Sequence, residues 1–437
     1  MKPLKTLRKP LLLLLVLPLV AGCVYRAPME QTVVTEDPAR FTSVSPAYRD
    51  LAALITSDTG MPPTDGNTLS LFPEAQQKFD VLLADLRDAE ASIYIEHYRF
   101  RMDTIGTCVA QILQEKAGAG LDVRVIVDRG ASIKEDREKL MKLQDYGISS
   151  YLYYRPRFFR DLVWPSKGAH RDHRKIVLVD GQTGYLGGRN IQDKYFGWRD
   201  CDIRISGPAV ADLGEVFMEA QRQLAPQLPA LMITAETVCK AVDDTIPGLQ
   251  AFRGKTVQII PDSPWEKVLP IRNCYEWAIQ HAKDYFYFYN PYTPPPASTL
   301  KALKEAVLRG VDVRWIVPAN NDVKQAKWLG ESLYKELLEA GVKIYEWQGN
   351  VLHTKQFISD DYLTAIGSAN MDNMSFFLNM EVHALVYDED VAVSARQLFE
   401  KETTECCLQI SLDEVRDWGT WRRFRNWFTR TFFGRIG

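Results

Sequence analysis

The chain predicts an α/β fold written twice: two similar α/β/α sandwich domains, produced by an internal repeat, with a single active site at their interface. Three observations carry that expectation. The stretch AGLDVRVIV at 119–127 is matched by RGVDVRWIV at 309–317. Both stretches hold nearly continuous apolar runs, Val123 to Asp128 and Val313 to Val317, as expected of strands covered by helices on both faces of a sheet. A short motif then recurs later in each half. His173-Arg174-Lys175 is followed after four residues by Asp180, and His353-Thr354-Lys355 is followed by Asp360 at the same spacing.

The elements follow in order. Residues 1–22 read as a targeting segment, with Lys2, Lys5, Arg8 and Lys9 ahead of an apolar run from Leu11 to Val20 broken only by Pro18. The run is short for a membrane-spanning helix, which needs about 20 apolar residues. It ends at Val20-Ala21-Gly22-Cys23, which resembles a bacterial lipoprotein cleavage box with Cys23 as the lipidated residue; an uncleaved N-terminal anchor is the alternative. A lipidated chain faces a compartment outside the cytoplasm, and Val24 after the cysteine directs it to the outer membrane of a Gram-negative host.

Residues 23–68, rich in Pro, Ser, Thr and Asp, read as a tether with one short helix near Ala47 to Ile55. The first half spans 69–228, a proline-bearing join 229–253, the second half 254–410 and a tail 411–437. Each half reads strand, helix, strand, helix, strand, motif. The aromatic-rich strands Ile93 to Phe100 and Phe286 to Tyr292 open them. Helices Ile105 to Ala117 and Ser298 to Arg309 stop at glycine.

The motif itself reads as a β-hairpin: strand Ile176 to Val179, a turn at Asp180-Gly181, then Tyr185-Leu186. Residues two apart on a strand share a face, so His173 and Lys175 point together, as do His353 and Lys355. Each hairpin runs into a small-residue turn ending in asparagine, Gly187-Gly188-Arg189-Asn190 and Gly367-Ser368-Ala369-Asn370. Brought together, the halves supply two imidazoles, two ammoniums and two amides. Those are the parts for chemistry on a phosphate diester: lysines and asparagines on the non-bridging oxygens, one imidazole to attack phosphorus, the other to protonate the leaving oxygen. The lysines supply the positive charge, so no metal or other cofactor is expected. One such motif alone would suit a solvated strand; with six histidines in 437 residues, two matched copies do not arise by chance.

On these residues the chain resembles the phospholipase D superfamily with two H-x-K-x4-D motifs, and within it the cardiolipin synthase branch. The resemblance runs from about Leu69 to the C-terminus and includes Trp198-Arg199-Asp200, Gly207-Pro208-Ala209-Val210, Asn290-Pro291-Tyr292 and Asn379-Met380-Glu381. It implies a covalent phosphohistidine on His173, with His353 as general acid and base and Lys175 and Lys355 beside them. It further implies phosphate contacts from Asn190, Ser368 and Asn370, and an acid orienting each imidazole: Asp202 for His173, Glu381 for His353. Asp180 and Asp360 complete the catalytic motifs by shaping them. Two positions depart from the family pattern, Lys194 where an acid is common and Met374 where arginine is usual. Phosphatidyl transfer from phosphatidylglycerol to a second phosphatidylglycerol is the implied reaction, with hydrolysis to phosphatidic acid and cleavage of nucleic acid as alternatives.

Charge and cysteine content narrow the choice. Removing residues 1–22 takes away four positive charges and moves the formal net charge from −3 to −7, which disfavours nucleic acid and leaves phospholipids and a membrane as partners. Apart from Cys23, the cysteines (Cys108, Cys201, Cys239, Cys274, Cys406, Cys407) lack zinc-site spacing and read as small buried residues, with one or two disulfides open. From Trp418 the tail carries Arg422, Arg423, Arg425, Arg430 and Arg435 with no acid, interleaved with aromatics. It suits either an interfacial helix on anionic lipid or a terminal helix docked on the domain with its arginines solvated. His97 and His170 are candidates to line the pocket; His281 and His383 read as structural.

Overall fold

A computed structural model describes residues 32–154, 170–231, 249–292 and 294–433. The first half runs through α1 (Arg49–Thr59), β1 (Thr64–Phe72), α2 (Ala75–Asp88), β2 (Ser92–His97), α3 (Thr104–Gly118), β3 (Asp122–Asp128), α4 (Lys134–Met141) and β4 (Ser149–Tyr153). It continues through β5 (Arg171–Asp172), β6 (Lys175–Val179), β7 (Thr183–Gly187), β8 (Asp202–Ser206) and α5 (Ala209–Leu224). The second half repeats the plan with β9 (Phe252–Asp262), α6 (Pro270–His281), β10 (Tyr285–Tyr289), α7 (Ala297–Leu308), β11 (Asp312–Pro318), α8 (Lys324–Glu339) and β12 (Lys343–Trp347). Then come β13 (Gln356–Ser359), β14 (Leu363–Gly367), α9 (Asn373–Leu378), β15 (Asn379–Tyr387), α10 (Glu389–Glu405), β16 (Cys407–Ile410), α11 (Leu412–Arg416) and α12 (Thr420–Phe433).

The strands join in one continuous sheet. Half one is ordered β1-β8-β7-β6-β2-β3-β4 and half two β9-β15-β14-β13-β10-β11-β12-β16, and β1 pairs antiparallel with β9 at the seam. The two orders mirror each other outward from that seam, so the repeat closes about a pseudo-twofold axis. Strands β2-β3-β4 and β10-β11-β12 are parallel and joined by helices, while the motif hairpins β6-β7 and β13-β14 are antiparallel.

Alternation along the strands divides the core into layers. Ile93, Ile95, Val123 and Val125 face α2 and α3, whereas Tyr94, Ile176 and Leu178 face α5. In half two Phe286, Phe288 and Trp315 pack under α6, α7 and α8, and Tyr287, Tyr289 and Ile316 under α10. Each half is therefore an α/β/α sandwich. Side-chain caps set several helix starts, with Asp103, Asp372 and Asp388 accepting from backbone N–H groups of α3, α9 and α10.

One boundary needs correction. The tether expected over 23–68 is folded from about Phe41 onward. Phe41, Val44, Leu51, Ala52, Ala53 and Ile55 are buried in the core of half two, and Tyr48 stacks on Tyr362 at 4.9 Å. The short helix expected near Ala47 to Ile55 is present as α1, but it is amphipathic and its apolar face covers α6 rather than lying free in a tether. The expected leader, Cys23, Cys239 and most of the join lie outside the described residues. No helix among the described residues is long and apolar enough to cross a membrane. Cys108, Cys201, Cys274, Cys406 and Cys407 are free thiols.

Burial of α1 makes a stability prediction. Ile55→Ala is expected to cost about 2–5 kcal/mol, read as a lowered denaturation midpoint; a free tether would give no shift.

Candidate active site

The motif aspartates act at the end of the sheet away from the histidines. Asp180 carries φ +53° and its carboxylate accepts from the N–H groups of Glu90, Ala91 and Ser92 at 2.7–2.9 Å. Asp360, at φ +51°, does the same for Lys283, Asp284 and Tyr285 at 2.8–3.0 Å. Each aspartate ties its hairpin turn to the start of the neighbouring strand and so sets the register that presents His and Lys at the other end. Their carboxylates bind backbone at the hairpin turns, at the other end of the strands from the motif histidines.

At that other end the halves interlock. The His173 N–H donates to the Met380 carbonyl at 3.0 Å, where β5 pairs with β15, and the His353 N–H donates to the Arg199 carbonyl at 2.7 Å. These backbone bonds bring each histidine beside an acid of the opposite half. His173 Nδ1 lies 2.9 Å from both Glu381 carboxylate oxygens, and His353 Nδ1 lies 2.7 Å from Asp200 Oδ2. Both Nε2 atoms are thereby left for chemistry, with the Nδ1–H tautomer set by the acid.

This pairing corrects the expected orienting acids. Glu381 holds His173, not His353. Asp202 holds neither: it pairs with the buried Arg189 at 2.5 Å. The reason is register. Gly187 pairs with Asp202 and Gly367 with His383, so the structural counterpart of Asp202 is His383, and that of Asp200 is Glu381. Asp202 sits two residues deeper than the acid that reaches the site. A Cβ at Gly188 would fall 2.3 Å from Asp200 Oδ1, so the glycine in this turn is required by the close approach of the carboxylate.

Asn190, Ser368 and Asn370 also differ from one another. Asn190 Oδ1 accepts from the Arg99 N–H at 3.0 Å and Nδ2 donates to the Tyr195 hydroxyl at 2.6 Å, making it a brace for the site wall. The Ser368 hydroxyl donates to Glu381 at 2.5 Å, so its one hydrogen is committed and it cannot also donate to phosphate. The Asn370 side chain is buried and its Oδ1, a hydrogen-bond acceptor, has no partner among the described residues. Lys175 and Lys355 each curl toward the carbonyl of their own motif histidine.

Aromatic rings wall the pocket. Tyr98 meets His173 edge-on at 4.6 Å, and Tyr292, Trp198 and Tyr195 surround His353 at 5.5–5.7 Å. Tyr98 and Tyr195 escaped the sequence reading, because nothing in their local pattern separates them from core aromatics. The acidic residue of the first half, Asp200, could have been found by counting from the turn asparagines: it lies ten residues after Asn190, and Glu381 eleven after Asn370. Lys194 stands over the Trp198 ring at 3.9 Å near Asp322, at the pocket mouth. His97 is buried on the sheet face that it shares with its cross-strand partner Lys175. His170 binds the Leu378 carbonyl at 2.9 Å, His281 stacks on Trp277, and His383 accepts from the Ala369 N–H.

Electrostatics follow from burial of like-charged groups. Burial pushes His173 down to about 4 against the pull of Glu381, with Lys175 adding to the depression. Burial and the two ammoniums hold His353 well below the usual imidazole range. Burial also brings Lys175 down to about 7 against Glu381 and Lys355 down to about 8 against Asp200. The two acids part company. Burial would raise both, but His173, Lys175 and the Ser368 hydroxyl hold Glu381 at about 2, whereas Asp200 is raised despite Lys355.

Comparison with known proteins agrees with this architecture. The family described as "Cardiolipin synthase, PLD-like domain" matches residues 82–220 and 276–403, one copy per half. The chain belongs to this phospholipase D-like family. A cardiolipin synthase 2 of Bacillus anthracis is 35% identical over 360 residues, covering 80% of this chain and 66% of that protein. A cardiolipin synthase of Clostridium perfringens is 31% identical over 394 residues, covering 86% of this chain and 78% of that one. The chain thus spans about two thirds of the length of the Bacillus relatives it matches, at 66% and 65%. Among solved structures, phosphatidylserine synthase of Haemophilus influenzae shares the fold with a TM-score of 0.63 at 13% identity, over 84% of this chain and 93% of that one.

The family's two motifs thus meet through crossed acid–imidazole pairs, which gives a test separating the two neighbouring aspartates. Asp200→Asn is expected to lower turnover about 10²–10⁴-fold, as when a triad acid is neutralised, with a modest change in melting temperature. Asp202→Asn should instead destabilise the fold, by about 3 kcal/mol or more, because Arg189 is left buried with its charge uncompensated.

Proposed function

We propose that the chain is a phosphatidyltransferase that makes cardiolipin from two phosphatidylglycerol molecules through a phosphohistidine. The observation that carries the proposal is the pair of crossed His–acid contacts, which aims two Nε2 atoms, one from each half, into one pocket lined by two lysines. Family membership supports the choice of lipid. In the first step His173 Nε2 bonds to phosphorus, the bond to the glycerol headgroup oxygen breaks, and a proton on His353 Nε2 goes to that oxygen, releasing glycerol. In the second, a hydroxyl of another phosphatidylglycerol gives its proton to His353 and attacks phosphorus. The P–N bond breaks and His173 is restored.

The asymmetry of the acids supports this division of roles. Glu381, strongly ionised and braced by Ser368 and by Asn379 at 3.3 Å, holds the His173 Nδ1–H and leaves a nucleophilic Nε2. Asp200, with its raised affinity for protons, suits a histidine that cycles its proton. An anionic phosphodiester between the two imidazoles raises the proton affinity of both, so His353 gains its proton as substrate binds. Lys175, Lys355 and the Asn370 amide face the non-bridging oxygens, where charge develops in the transition state. Both substrates are lipids, so the reaction takes place at a membrane surface, and lipidation at Cys23 would hold the chain there, outside the cytoplasm.

Incubation of the protein with phosphatidylglycerol vesicles, followed by lipid mass spectrometry, tests the proposal. Cardiolipin with free glycerol is the expected result; phosphatidic acid alone would overturn transfer in favour of hydrolysis. His173→Ala and His353→Ala should each lose roughly 10⁴-fold or more in turnover. Phosphate trapped on His353 in place of His173 would reverse the roles.

The pH profile has a distinct shape. The lysines lose charge as pH rises through their depressed pKa values of about 7 and about 8, so kcat/KM should fall on the alkaline side in that range and not near 10. His173 becomes protonated only near its depressed value of about 4, so that group imposes no loss between pH 5 and 6.5.

A further inference from the structure

The last helix is docked with its polarity reversed. On α12 the inward side is charged and polar: Arg422 reaches Glu331 at 2.9 Å, Arg425 pairs with the same carboxylate, and Asn426 donates to it at 3.1 Å. Arg430 pairs with Glu336 at 2.9 Å, one turn further along α8. Asn426 and Thr429 are the buried residues of the helix. Both readings of the tail fail in one respect, since neither expected the arginines to be the docking face.

The outward side is aromatic. Trp421, Phe424, Trp427, Phe428 and Phe432 are between 40% and 74% exposed, where burial of such rings is the rule. They touch chiefly one another, with centroids 4.5–6.2 Å apart, and so form one strip along the helix. Beside it stands Arg423, exposed, and no acid occurs from Trp418 to the end of the chain. A continuous apolar strip of this kind calls for a cover.

We infer that this strip is a membrane-docking face: α12 lies in the interface of an anionic bilayer with its five rings among the acyl chains and Arg423 at the headgroups. The inference leans on the lipid-transferase reading for its choice of occupant. Three features favour a bilayer over a protein. Tryptophan and phenylalanine are the side chains suited to the headgroup boundary. The rim charge is positive and complements an anionic lipid such as the proposed substrate. And the ion pairs to Glu331 and Glu336 fix the helix on the body, so the enzyme would sit on the bilayer in one orientation.

The full chain tests this directly, with vesicles of equal parts phosphatidylcholine and phosphatidylglycerol. All of the targeted rings are exposed, so a variant carrying Trp421→Ser, Phe424→Ser, Trp427→Ser and Phe428→Ser should keep its melting temperature. It is expected to lose about tenfold or more in turnover on vesicles while retaining turnover on monomeric short-chain phosphatidylglycerol. Tryptophan quenching by brominated phosphatidylcholine supplies a readout independent of any other anchor. Quenching should fall in Trp421→Phe/Trp427→Phe, which preserves the apolar strip but removes its reporters.

Equal quenching in that double variant and the wild type would overturn the inference. So would a concentration-dependent dimer without vesicles that the four-serine variant abolishes, since the strip would then be covered by a second copy. If the wild type makes no cardiolipin yet shows ring-dependent quenching, the transferase reading falls and the docking face stands.

Discussion

Everything in the site depends on one kind of contact, an imidazole of one half hydrogen-bonded to a buried carboxylate of the other. The exchange is reciprocal: Glu381 reaches His173 and Asp200 reaches His353. Neither half orients its own motif histidine with its own acid. A buried carboxylate without a partner is costly, so each pair also favours the assembled state of the halves. Assembly of the fold and orientation of the two motif imidazoles are therefore the same event.

The surrounding framework protects those contacts. Arg199, next to Asp200, is buried against Glu402 of α10 at 2.6 Å, and Arg174, next to His173, is buried among Glu96, Glu219 and Asp172. Each guanidinium clamps the strand segment that carries a site residue to an element behind it. At the far ends Asp180 and Asp360 fix the hairpin turns. The lysines and histidines thus stand on strands held at both ends, which keeps two cations and two imidazoles within a dry space that burial alone would discourage. The depressed proton affinities of the histidines and lysines reflect that crowding.

Much of this was legible in the sequence because it is local. The repeat, the alternating strands, the hairpin at Asp180-Gly181 and the shared face of His173 and Lys175 follow from periods of two and from turn chemistry. What was not legible is what requires the third dimension. Asp200 and Asp202 lie on the same side of their strand, and only the pairing of Gly187 with Asp202 shows which one reaches the pocket. Ser368, Asn190 and Asn370 look equivalent in the sequence, yet their surroundings separate a carboxylate brace, a wall brace and a buried amide whose oxygen has no partner among the described residues. The helices α1 and α12 were expected, but not their packing: α1 was taken as part of a tether, and on α12 arginines were presumed to face water. Residues Glu331 and Glu336, far away in the chain, decide that question.

The seam between the halves has a mechanical consequence. Strands β15, β9, β1 and β8 pair in succession across it, with bulges where β1 meets β9, so the two halves share one sheet and cannot swing apart without breaking hydrogen bonds along several residues. No hinge separates the imidazoles. Such an enzyme holds its two imidazoles on a single sheet, at a separation set by the fold.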